Sequence, residues 1–76
     1  MDSTIIEQMI KQGLPDAEVQ VSGADGVHFE AVVRCACFAG QSTLQRHRMV
    51  YATLGDMMGR EIHALALRTE LPGEAG

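Results

Sequence analysis

Ile5, Ile6, Met9 and Ile10 recur at helical spacing near the start of the chain, so they share one face of a helix. Thr4 and Glu7 fit a capping box. Gly13 suits the position just past a helix, and Pro15 a stop. A short amphipathic helix is therefore predicted over residues 3–12. Glu18 to Val21 alternates as a strand does, and Ser22-Gly23-Ala24-Asp25-Gly26 is rich in turn formers. A second strand is predicted from His28 to Phe38. Phe29, Ala31, Val33, Cys35 and Cys37 line one face of it, and Glu30, Val32, Arg34, Ala36 and Phe38 the more polar other. The two strands should form a hairpin.

Ala39-Gly40-Gln41 breaks the second strand, and Ser42 with Gln45 forms another capping box. Leu44, Val50, Tyr51, Leu54 and Met58 then read as one apolar stripe. They predict a helix over residues 43–54, a break at Gly55 and a short helical turn before Gly59. Glu61 to Thr69 reads as a third strand that buries Ile62, Leu65 and Leu67. The order is α-β-β-α-(α)-β. Strands joined through helices should run parallel by a right-handed crossover, which gives an α+β fold with a three-stranded mixed sheet and the helices on one face. A single domain is expected over residues 1–76, with its core at about 3–70 and a loose tail at 71–76.

Composition narrows what such a domain does. Seventy-six residues give one small core, with no room for a layered active-site cleft, and no nucleophile–base pair, phosphate loop or Gly-x-Ser-x-Gly elbow occurs. This points away from an enzyme. A formal charge of −4 disfavours non-specific nucleic-acid binding, which needs a cationic excess. Arg46, His47 and Arg48 nevertheless form a local basic cluster near a helix start, and the simpler reading of that cluster is a solvated helix face. No signal region or long apolar run is visible, so a soluble, cytoplasmic protein in a reducing compartment is expected, without membrane contact. Cys35 and Cys37, two residues apart on a strand, are awkwardly placed for a disulfide. Small buried core thiols are the simpler reading of the pair.

His28 and His63 stand near the starts of the second and third strands. Adjacent parallel strands begin at the same sheet end, so these imidazoles can approach one another and supply half of a four-coordinate metal site. The cysteines lie seven residues or more from His28, more than about 20 Å along a strand, and cannot share that metal.

Phe38-Ala39-Gly40 followed by Ser42-Thr43-Leu44 and Arg46-His47-Arg48-Met49-Val50-Tyr51 resembles the central signature of the BolA family. Ile62-His63-Ala64-Leu65 resembles its second signature, and Thr69 with Pro72 resembles the T-x-x-P that closes its core. Gly26-Val27-His28-Phe29 resembles the loop-to-strand junction of members that carry a His there. Many relatives continue beyond the T-x-x-P into a further helix, often with Trp, whereas only Gly73-Glu74-Ala75-Gly76 follow Pro72 in this sequence.

The resemblance implies a class II KH-like fold and partnership with a monothiol glutaredoxin in a heterodimer that shares a [2Fe–2S] cluster. Glutaredoxin and glutathione would supply thiolates, and His63 and His28 would be this chain's ligands. Replacing thiolates by neutral imidazoles raises a cluster's reduction potential. Protonation of the imidazoles in acid would make the cluster labile, a route to release or sensing. Alone, the chain is expected as a monomer or weak homodimer. Some relatives are described as transcription regulators, so DNA is a second candidate partner, through Arg46, His47 and Arg48. A plain adaptor that binds its partner without metal is a third reading.

Overall fold

The structure is a computed structural model that describes residues 2–23, 25–62 and 64–73. Helix α1 spans Ser3–Gly13, strand β1 Glu18–Ser22, strand β2 His28–Arg34, helix α2 Thr43–Leu54 and strand β3 Ala64–Glu70, with single 3₁₀ turns at Ala36–Phe38 and Gly55–Met57. Strand β2 is central, antiparallel to β1 and parallel to β3. The α+β architecture with its mixed sheet is thus as expected.

Ile6 and Ile10 of α1, Val50 and Leu54 of α2, and Phe29 and Val33 of β2 meet in one buried cluster with Phe38, Cys35 and Ile62. Both helices therefore cover the same sheet face. The opposite face carries Glu18, Gln20, Glu30, Arg34, Arg68 and Glu70. There the Glu70 carboxylate is buried and receives Arg34 Nη2 at 2.7 Å, Arg34 Nε at 3.1 Å and Arg68 Nε at 3.0 Å. That carboxylate holds the Arg34 guanidinium above its ordinary pKa. Glu18 adds a longer contact to Arg34, 3.3 Å.

Several boundaries depart from the sequence reading. The N-cap of α1 is Asp2, whose carboxylate accepts the Thr4 N–H at 2.9 Å, and Thr4 lies inside the helix. An anionic cap also suits the positive helix start. Gly13 ends the helix rather than following it, and a Cβ there would overlap the Thr53 side chain of α2. The α2 capping box of Ser42 and Gln45 is present as predicted, with bonds of 2.9 and 3.1 Å. Leu44, the first member of the apolar stripe, is 60% exposed. It precedes Val50 by six residues, about one and two-thirds turns, and so lies off the core face.

Strand β2 stops at Arg34 instead of Phe38 because its neighbours end there. Arg34 is opposite the first residue of β1, Glu18, and the last of β3, Glu70. Cys35 N–H makes the final bond to the Glu70 carbonyl, 3.0 Å. The chain then tightens into the 3₁₀ turn, which brings Cys37 back to Cys35, with the two Cα atoms 5.1 Å apart. The structure joins them in a disulfide, where the sequence reading expected two small buried core thiols. That expectation assumed a continuous strand.

Candidate functional site

The hairpin loop between β1 and β2 is built to hold His28. Asp25 Oδ1 accepts the N–H groups of Val27 and His28 at 2.9 and 2.8 Å, the local bonding by which Asp closes turns before a strand. Gly26 takes φ = +72° between them, a conformation open to Gly at little cost. Gly23 passes so close to Phe29 that a Cβ would overlap the ring. Burying Phe29 thereby pins the loop base.

Asp25 Oδ2 lies 2.8 Å from His28 Nδ1. The ionised carboxylate only accepts, so in the neutral imidazole the proton belongs on Nδ1 and Nε2 carries the lone pair. The His28 side chain is 72% exposed, leaving that lone pair accessible. Bonding to the His28 side chain, then to the backbone N–H groups of His28 and Val27, holds the Asp25 carboxyl far below the usual carboxylate range. The anchor is ionised throughout the neutral range. His28 opens onto a shallow concavity of about 550 Å³ edged by Ser22, Glu30, Ala64 and Ala66.

Of the predicted ligands, the structure places His28 at the start of β2, in register with Ala64, the first residue of β3. His63 lies outside the described residues. Among the described residues no group of three or more His, Cys, Asp or Glu side chains is arranged to hold a metal. The sequence reading treats Asp25 only as a turn former, although an Asp three residues before the β2 start at His28 is placed to bond that strand's first N–H groups.

The basic cluster is divided by the fold. Arg46 turns back onto the loop ahead of α2, where its Nε–H is shared between the carbonyls of Phe38 and Gln41, 3.2 and 3.0 Å, and its guanidinium lies 6.0 Å from the Phe38 ring centroid. His47 meets Tyr51 edge to face, centroids 6.4 Å apart. Arg48 is exposed. Arg46 is thus a brace for the loop, and Arg48 is the freer cation.

A three-stranded mixed sheet, helices on one face and an exposed, carboxylate-anchored imidazole at the end of the central strand define a small α+β domain. Residues 7–74 match the BolA-like protein family, and the chain belongs to it. The BolA homologue from Coxiella burnetii superposes with a TM-score of 0.84 at 48% identity, covering 95% of this chain and 92% of that one. Human BolA-like protein 1 is 43% identical over 47 residues, 62% of this chain and 34% of the relative. The DNA-binding transcriptional regulator BolA of Escherichia coli is 45% identical over 42 residues, 55% of this chain and 40% of the relative. The matched stretches are therefore well under half the length of these two relatives. Among the described residues no helix is long and apolar enough to cross a membrane.

Proposed function

We propose that the chain is a non-enzymatic partner of a monothiol glutaredoxin and contributes His28 and His63 to a shared [2Fe–2S] cluster. The observation that carries this reading is the Asp25–His28 contact. It fixes the tautomer, leaves Nε2 open, and does so at an exposed sheet end. A carboxylate behind a ligating imidazole orients the ring and raises its basicity. His63 immediately precedes Ala64 in sequence, and Ala64 is His28's register partner. The donor set suits an iron centre. The cluster, when bound, would supply electron-transfer capacity, with two thiolates coming from glutaredoxin and glutathione. What this chain supplies is the orientation of its imidazoles and the exposed concavity around His28.

The test is anaerobic reconstitution with a monothiol glutaredoxin, glutathione, iron and sulfide, followed by visible circular dichroism. Wild type should give a spectrum unlike that of glutaredoxin alone, and His28→Ala and His63→Ala should each alter it. A spectrum equal to that of glutaredoxin alone would remove the reading. A complex that forms and functions unaltered without both His would instead indicate an adaptor that needs no metal.

The E. coli relative's name favours a second reading, DNA binding. Arg48 is the exposed cation available for it, while the total charge of −4 opposes it. DNA retention that falls steeply with salt and is weakened by Arg48→Ala would support it, and no retention at low salt would end it.

A further inference from the structure

The end of β2 opposite His28 carries chemistry that the cluster reading does not use. Cys35 is 1% exposed and belongs to the core cluster, whereas Cys37 is exposed on the 3₁₀ turn. Cys35 is held by the last ladder bond to Glu70, and its sulfur receives the Cys37 N–H at 3.2 Å. The turn is closed by the Phe38 and Ala39 N–H groups on the Cys35 and Ala36 carbonyls, each at 3.1 Å. It is braced from α2 by Arg46. The backbone thus holds the two sulfurs together, one in a buried residue and one in an exposed residue.

We infer that Cys35 and Cys37 form a reversible thiol–disulfide site that exchanges with low-molecular-weight disulfides and thiols, with Cys37 as the attacking and attacked sulfur. In the dithiol form the Cys37 thiolate attacks one sulfur of a disulfide RSSR. The RS–SR bond breaks, one RS⁻ departs and takes up a proton, and a mixed disulfide forms on Cys37. The Cys35 thiolate then attacks Cys37 Sγ and expels the second RS⁻, which also leaves as RSH. Two electrons pass from the pair to RSSR, and the two thiol protons end on two RSH. Reduction reverses these steps and begins with a thiolate reaching the sulfur of the exposed Cys37, because exchange requires in-line access to the attacked atom. The Cys37 N–H on Cys35 Sγ favours the thiolate needed for the closing step. The ring contains only three residues, so it adds little constraint to the unfolded chain. The pair is accordingly suited to switching more than to bracing the fold.

The test is equilibration of the wild-type chain, without metal, in anaerobic buffers of graded glutathione to glutathione disulfide ratio. Acid quenching, alkylation and intact mass then read the redox state. The oxidised fraction should move with the ratio through one two-electron transition. In Cys35→Ala a glutathione adduct should collect on Cys37. In Cys37→Ala the shielded Cys35 should be modified at least about tenfold more slowly, as expected of a buried thiol. A pair that stays fully reduced or fully oxidised across the series overturns the inference, and so does adduct formation chiefly on Cys35. The wild-type titration decides the matter even where a variant folds poorly.

Discussion

At the scale of single residues, Asp25 does the most specific work. Its carboxylate determines which nitrogen of His28 is free. Asp25→Asn can still accept the backbone N–H groups, but its amide would donate to Nδ1 and shift the proton to Nε2. Long-range ¹H–¹⁵N correlation spectra of neutral His28 should show the Nδ1–H tautomer in wild type and an increased Nε2–H population in the variant. Loss of such a second-layer partner typically weakens metal binding about 10- to 100-fold, and iron–sulfur reconstitution should fall accordingly. The depressed Asp25 pKa also fixes a direction in pH. The contribution of its ionised form is complete above the ordinary carboxylate pKa and is lost as pH falls through the depressed value. A ¹³C carboxyl titration should therefore find Asp25 still ionised after the exposed carboxylates have protonated.

At the scale of elements, what was legible in the sequence follows from how local each signal is. The Ser42–Gln45 box is decided within four residues, and it is present. Ser42→Ala should cost about 1 kcal/mol in urea unfolding. The hairpin was legible because Gly23, Asp25 and Gly26 separate two alternating runs. The end of β2 was not legible, because Cys35 and Cys37 continue the alternation that began at Phe29. Only the register with β1 and β3 reveals that pairing runs out at Arg34. The α1 start was misread between two adequate caps, Asp2 and Thr4. Arg46 was read as surface charge because nothing local announces that its Nε reaches back to Phe38 and Gln41. Arg46→Lys keeps the charge but loses the planar donor that serves both carbonyls. It should lower stability by about 1–2 kcal/mol, read as a lower urea midpoint with unchanged slope.

At the scale of the whole molecule, the sheet has one apolar face under the helices and one ionic face. Glu70 is the centre of the ionic face, where its side chain is 6% exposed between Arg34 and Arg68. Arg34→Ala removes both bonds to Glu70 Oε1 and leaves that carboxylate with Arg68. Stability should fall, because the buried Glu70 carboxylate loses two of its charged partners' bonds, checked as a lower melting temperature and a lower urea midpoint. The functional candidates are divided in the same spatial way. His28 stands at one end of the central strand and the cysteine pair just past the other, so substitution at one end should leave the other's chemistry in place. Of that arrangement, the sequence alone made the His28 end visible, through the strand start and the family signatures. The cysteine end depended on where pairing stops.

The parallel pairing of β2 with β3 has a further consequence in time. Each residue of β2 pairs with one 36 positions later, as Arg34 does with Glu70, whereas the β1–β2 hairpin closes over a short loop. Contacts between distant parts of a chain form slowly, since the intervening loop must be closed before they contribute. In pulse-labelled hydrogen exchange the hairpin amides should therefore gain protection before those of β3. During refolding the chain should hold Asp25 against His28 before Ala64 reaches its place in the ladder, so the proposed cluster site would be completed only at the last step of folding.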